Sequence, residues 1–502
     1  MKGKLNSVGA SVWLTAAAGT PAPKKGGKLI LAVVIVVVVV IAAVGGVLVL
    51  TSHKTSSTTT TTTTPPTSSS KVKITVWQDF STTEFPAFMN AMKEFEQNFT
   101  NVTINFVNQT SPSPSTVVSA AIAGKAPNIL VGTSDFEGST LFYHQLLLNL
   151  SQYVNSSFFS QYAPTALQDV TENGTVYAFP LNINGIAMIY NKQLIPTPPQ
   201  TTNQMIQMAK NITVISNGQM TTAGVAYGLD TDGGYRFVAW LAGFGGHLFA
   251  ANGTPTVNSP ATVEALEFLN NLTTVYNIQP PGLTSTTWQS LFETGHAGII
   301  FDGPWDIGTY LTALGTNNVG VAPMPIVSQT GLRPTPFLGS IAVAVFNKPS
   351  TGESNAQVWA SVKFGEFLAS SNIEMQFWRD AGDFPSIASD LATVESLNIS
   401  WAKGFAEQFL NYSQIFINIP QLSYYWTPFG TYVSEFIATN SSHISAAQAA
   451  ASIQNAIVQS MKQANISPYF LAASPQLQKV QAEAHEENML LTDIARVITA
   501  IL

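Results

Sequence analysis

Apolar and polar positions between residues 71 and 470 switch repeatedly between a period of two and a period near 3.6. KITVW (73–77) reads as a short strand, and FMNAMKEFEQNF (88–99) carries apolar positions at helical spacing. NVTINFV (101–107) and NILVG (128–132) read as the next strands, each closing on polar or glycine residues. Strands alternating with helices predict parallel βαβ units and an α/β fold. Ligands of such sheets bind beyond the carboxyl ends of the strands, where loops carry the side chains. Residues 259–276, 355–371 and 444–464 predict long amphipathic helices. In 476–502, Leu490, Ile494, Val497, Ile498 and Ile501 share one helical face, which predicts a terminal packing helix.

The pattern breaks at the N-terminus. Residues 29–50 are 22 uncharged, overwhelmingly apolar positions, enough to cross a bilayer core of about 30 Å as one helix. Lys2, Lys4, Lys24, Lys25 and Lys28 precede them, and the first acidic residue is Asp79. The positive-inside rule then puts residues 1–28 in the cytoplasm and everything after residue 50 outside. Residues 51–70 are a Ser/Thr tract with Pro65 and Pro66, which cannot bury a core and reads as an extended stalk. The Lys25-Gly26 step resembles the prepilin-type signals of archaeal sugar-binding proteins.

Glycosylation sequons agree with an outside location. They start at Asn98, Asn101, Asn108, Asn149, Asn155, Asn173, Asn211, Asn252, Asn271, Asn398, Asn411, Asn440 and Asn465, all beyond the apolar segment.

Composition narrows the chemistry. Only 10% of residues are charged and the net charge is -7, which argues against nucleic acid as a partner, since phosphate binding needs concentrated Lys and Arg. The four arginines (Arg236, Arg333, Arg379, Arg496) are scattered. Cysteine is absent, so disulfide frameworks, zinc fingers and thiol nucleophiles are excluded. Nucleophile elbows, phosphate loops and H-E-x-x-H zinc motifs are missing, and His53, His144, His247, His296, His443 and His485 are far apart. No catalytic residue, metal or cofactor is expected. A glycosidase stays open at this point, because its two acids are seldom close in sequence; so does a surface-layer or pilin-like structural protein, on the stalk and apolar N-terminus.

Aromatic residues recur at the ends of elements beside polar ones: Trp77-Gln78-Asp79, Asp135, Trp305-Asp306 and Tyr424-Tyr425-Trp426. A sugar needs that combination, because its C–H faces stack on rings while its hydroxyls need fixed donors and acceptors.

Five stretches, in order, resemble the maltose-binding protein family, the extracellular sugar-binding components of ABC importers. They are KVKITVWQDF (71–80), GKAPNILVGTSDFEG (124–138), YAFPLNINGIAMIYNKQLIPTPPQT (177–201), LFETGHAGIIFDGPWDI (291–307) and IPQLSYYWTPFGTYVSEFIA (419–438). The resemblance implies an α/β, two-lobed periplasmic-binding-protein-like fold with a hinge and an interlobe cleft, preceded here by one transmembrane helix. It implies a carbohydrate ligand and delivery to ABC transporter permease subunits.

It also implies a site. Trp305 and Trp426 match stacking residues and are expected to flank the sugar from opposite sides of the cleft. Asp135 matches an acidic hydroxyl acceptor, and Gln78 or Asp79 stands at the first lobe's first polar contact. Asn184 falls at an acidic contact, while Gly132 replaces a stacking Trp, Phe136 an Arg, and Asn128 the usual Asp. Trp77, Asn182 and Tyr425 complete the expected ligand-binding set. The two-lobed domain is expected over 71–475, with a first lobe of about 71–179 and 305–345 and a second of about 181–300 and 346–470.

Overall fold

The computed structural model describes residues 71–107, 114–133, 140–172, 174–229, 233–250, 252–416, 419–438 and 442–464. All of them fall within one compact unit. The apolar segment 29–50, the stalk 51–70, Asp135 and the tail 476–502 lie outside the described residues. Among the described residues no helix is long and apolar enough to cross a membrane.

The first sheet contains β1 (Val72–Gln78), β2 (Val102–Phe106), β3 (Ile129–Thr133), β6 (Ala178–Asn184), β12 (Phe337–Val345), β13 (Phe384–Pro385) and β14 (Gln414–Ile415). Two short strands, β4 (Thr171–Glu172) and β5 (Thr175–Val176), pair as a separate hairpin. The second sheet contains β7 (Ala187–Asn191), β8 (Val214–Ser216), β9 (Gln219–Val225), β10 (Ala297–Asp302) and β11 (Val319–Ala322). The strand orders are β13-β6-β12-β3-β1-β2, with β14 beside β12, and β11-β7-β10-β9-β8. In the first sheet β2, β1 and β3 run parallel, as the βαβ pattern predicts, and β12 enters antiparallel between β3 and β6.

Local sequence explains the elements. In β1, Val72, Ile74 and Val76 point into one core at 6%, 0% and 0% exposure, as period-two alternation requires. The helix Pro260–Thr274 starts with Pro260 after a Ser259 cap, and Ala446–Gln463 starts with a Ser445/Gln448 capping box. Both fall within the predicted helical stretches.

Each sheet anchors a core. The first core joins Val76, Phe88, Phe95, Phe179 and Val343. The second joins Met188, Trp240, Phe301, Tyr425 and Ile453. A third spans both sheets: Ile183, Trp378 and Phe384 meet Ile189, Ile300, Trp401 and Phe405.

The expected lobe boundaries need correction. Helices Asn355–Leu368 and Ser371–Ala381, assigned to the second lobe, put Val358, Phe364, Ile373 and Phe377 into the first core. Conversely β11, assigned to the first lobe, pairs with β7 in the second sheet. Hydrophobic period identifies an element but carries no record of which sheet will receive it, so the boundary could not be read from pattern. The chain crosses between sheets at Gly185-Ile186, between β6 and β7, and again between β11 and β12.

Candidate functional site

Half-buried aromatic rings gather at one margin of the second core: Tyr143, Tyr235, Trp305, Tyr424 and Trp426. Each arrives on a different element. Trp305 sits in the turn Pro304–Asp306 that follows β10. Its ring folds back over Gly303, where a Cβ would lie 1.9 Å from it, so only glycine admits this pose. Tyr235, in the first turn of the helix Gly233–Gly243, meets the Trp305 ring edge-on at 6.4 Å and the Phe337 ring at 6.4 Å. Trp426 starts the helix Trp426–Ile437 and lies beside Gly234. Tyr143 comes from a segment whose Leu141, Leu146 and Leu147 pack against Leu130 and Ala344 of the first sheet. It is the first lobe's ring in the group. Burial raises the Tyr424 hydroxyl above its ordinary value, and nearby Tyr143 adds to the effect.

A buried ionic network holds this margin in place. Arg236 donates from Nε to the Phe301 carbonyl at 3.0 Å and pairs with Asp302 Oδ1 at 2.7 Å. Tyr310 donates to the other oxygen of Asp302 at 2.5 Å, and the guanidinium stacks 4.7 Å over Trp288. Burial works against the Arg236 charge, and Asp302 more than offsets it, so its pKa is raised. The network ties the helix carrying Tyr235 to the strand that leads to Trp305.

Polar groups come from the crossing strand. Asn182 is buried and Asn184 half-buried near the end of β6, and the Oδ1 of each is a buried acceptor with no hydrogen-bond partner. Gln78 is buried at the end of β1, with Oε1 accepting from Phe80 N at 2.5 Å. Asp79 is half-buried, and its N–H donates to the Val131 carbonyl at 2.9 Å.

Several expectations change. Tyr425 is fully buried and donates to the Gly234 carbonyl at 3.1 Å, so it belongs to the second core and offers no face to a ligand. Trp77 packs into a fourth core with Val117, Leu130 and Leu147, apart from the aromatic group. Trp305 and Trp426 lie against the same core, so they do not face each other from opposite lobes. Gly132 has φ +80°, and a Cβ there would sit 3.0 Å from the Asp79 backbone, which accounts for glycine where the family carries a ring. Asp135 lies outside the described residues.

Sequence reading missed Tyr143, Tyr235 and Arg236. Tyr143 and Tyr235 have no distinguishing spacing. Arg236 left a trace: a lone cation inside the apolar run GGYRFVAWLAG must find a buried partner.

Two α/β sheets linked by crossing strands, with rings and amide oxygens gathered beside the crossing, define a two-lobed solute-binding protein. The family model described as bacterial extracellular solute-binding protein matches residues 90–400, and the chain belongs to that family. The maltotriose-binding protein of Pyrococcus abyssi is 25% identical over 358 residues, covering 70% of this chain and 75% of that protein. The maltodextrin-binding protein of Bacillus subtilis is 26% identical over 317 residues, covering 61% of this chain and 71% of its own. The maltose/maltodextrin-binding domain of Bdellovibrio bacteriovorus, solved bound to maltotriose, superposes with a TM-score of 0.71 at 22% identity, covering 78% of this chain and 100% of that one.

Proposed function

We propose that the protein captures a sugar of the maltooligosaccharide class and delivers it to the permease of an ABC importer, turning nothing over itself. The grouping of Tyr235, Trp305 and Trp426 on one core margin, with Tyr143 brought to it from the first lobe, carries this reading. Rings grouped in this way offer stacking faces to pyranose C–H surfaces, and the open oxygens of Asn182 and Asn184 offer acceptors to hydroxyls. Relatives named for maltotriose and maltodextrin support the same ligand class. A calorimetric screen against glucose, maltose, maltotriose and a galactose-based disaccharide tests it. Saturable heat with maltotriose and none with the galactoside is expected, and silence with all four rejects the reading.

The receptor is proposed to be archaeal-type and membrane-anchored through residues 29–50, with 51–70 as stalk and the binding domain outside the cell. The lysine bias, the Lys25-Gly26 step and the sequons support this. Asn98, Asn155, Asn211, Asn398 and Asn411 have exposed side chains and are the proposed glycan acceptors. Asn101, Asn149, Asn252 and Asn271 are half-buried, and the Asn149 Oδ1 is buried. Asn108, Asn173, Asn440 and Asn465 lie outside the described residues.

A further inference from the structure

Carboxyl groups collect where the two lobes touch. Glu84 stands at the start of the helix Phe85–Asn98, and its Oε2 accepts from Ser81 N at 2.8 Å. Asp383, between the helix Ser371–Ala381 and β13, is within hydrogen-bond reach of Glu84. Asp306 faces both from the second lobe, held by Gln289 Nε2 at 2.6 Å. The lobes meet beside them, with Thr83 Oγ1 and Thr309 Oγ1 3.3 Å apart. Asp79 adjoins Glu84, and Asp302 adjoins Asp306. The cation facing this group is Arg236, already paired with Asp302. Tyr310 donates its proton to Asp302 as well.

Asn182 adds an independent observation. It is 3% exposed and its side chain bonds Asp383, yet its Oδ1 has no hydrogen-bond partner, and neither does Asp383 Oδ2. Two carboxyls within hydrogen-bond reach of each other, one of them carrying a buried oxygen without a partner, lack a hydrogen between them. The described residues offer no grouping of three or more His, Asp or Glu suited to a metal ion.

We propose that the lobe interface is a proton-binding site, in which Glu84, Asp383 and Asp306 together hold one hydrogen ion, and that closing the lobes around ligand takes that proton from solvent. The proton sits on one carboxylate oxygen and is shared with the facing carboxyl; no electrons move. Burial pushes Asp306 up to about 8, with Asp302 adding to it, and burial also raises Glu84 and Asp383. Bringing Asp306 against the first-lobe pair adds a like charge, so the closed form binds the proton more tightly than an open one. By linkage, acid then favours closure. The stabilisation is present at low pH and is lost as pH rises through about 8.

The ligand arm of the test rests on the proposed sugar capture; the other arm does not. Full-length protein is titrated with maltotriose in two buffers of different ionisation heat. Proton uptake approaching one per binding event is expected near neutrality, with Kd rising about tenfold per pH unit on the alkaline side. The Glu84→Gln variant should bind with less uptake and a shallower profile than the wild type, and Asp383→Asn repeats the test should Glu84→Gln fail to fold. Without ligand, the wild-type thermal midpoint should fall more than the variant's between about pH 6 and about pH 9. Absence of maltotriose binding at every pH rejects the sugar reading and leaves the ligand-free arm to decide. Equal pH dependence of wild type and variant overturns the proton site.

Discussion

At the residue scale, burial separates the rings proposed to meet ligand from the rings that hold the fold. Trp305 and Trp426 keep part of their faces open, whereas Tyr425 is sealed with its hydroxyl on the Gly234 carbonyl. Changing either Trp to Ala should weaken maltotriose binding by about 1–3 kcal/mol, by analogy with other ring stacking, with folding retained. Tyr425→Phe should leave affinity alone and lower stability by about 1 kcal/mol. Calorimetry and thermal melting on the three variants check the contrast.

Asn128 gives a second test. Its amide donates to Glu353 Oε2 at 2.6 Å and accepts from Thr75 N at 2.6 Å. Burial raises Glu353 from 4.5 to about 7, so the neutral acid suits the fold. That stabilisation is present at low pH and fades as pH climbs from about 4.5 toward about 7. Restoring the family's acid, Asn128→Asp, sets a second carboxyl against it. It should cost about 1–3 kcal/mol above neutrality and less in acid, read from denaturant melts at two pH values.

At the scale of elements, much was legible and one kind of fact was not. The strands at 73–77 and 128–132 and the helices at 259–276 and 444–464 followed from period and capping residues, because those signals are local. Partnership is not local. Nothing in NAQVWASVKFGEFL marks it as cover for β1 rather than for the second sheet; its Val358 and Phe364 would satisfy either core. Of the proposed site, family resemblance pointed to Trp305 and Trp426, while Tyr143 and Tyr235 needed the fold to bring them beside those rings.

The Arg236–Asp302–Tyr310 network is the element-level device beneath the aromatic margin. Arg236→Met leaves the Asp302 carboxylate buried at 0% exposure without its counter-charge. A loss of about 3–5 kcal/mol of stability is expected, larger than for Tyr310→Phe, which removes one hydroxyl. Chemical denaturation of the two variants ranks them.

At the scale of the whole molecule, the chain crosses between the two sheets repeatedly and a third core spans both, so the lobes are tied together along that core. A ligand touching rings of the second lobe and Tyr143 of the first favours the closed form to the extent that it binds that form better. The proposed anchor makes a separate claim. External protease on intact cells should clip the Ser/Thr stalk and release a soluble fragment that still binds maltotriose; a chain protected throughout rejects that topology.

The position of β12 bears on how the chain is made. In the first sheet it lies between β6 and β3, so the middle of the earliest lobe is filled by residues 337–345, synthesised after the whole second sheet. Until Val345 emerges from the ribosome, β2-β1-β3 and β6 have no strand to join them, and loop closure over that separation is slow. A nascent chain of this order is expected to complete its first sheet only late in synthesis, and an unfolded chain is the state in which a polypeptide can be threaded across a membrane. A fragment ending at residue 336 should therefore lack cooperative unfolding and be cut throughout by dilute protease, whereas one ending at 464 resists.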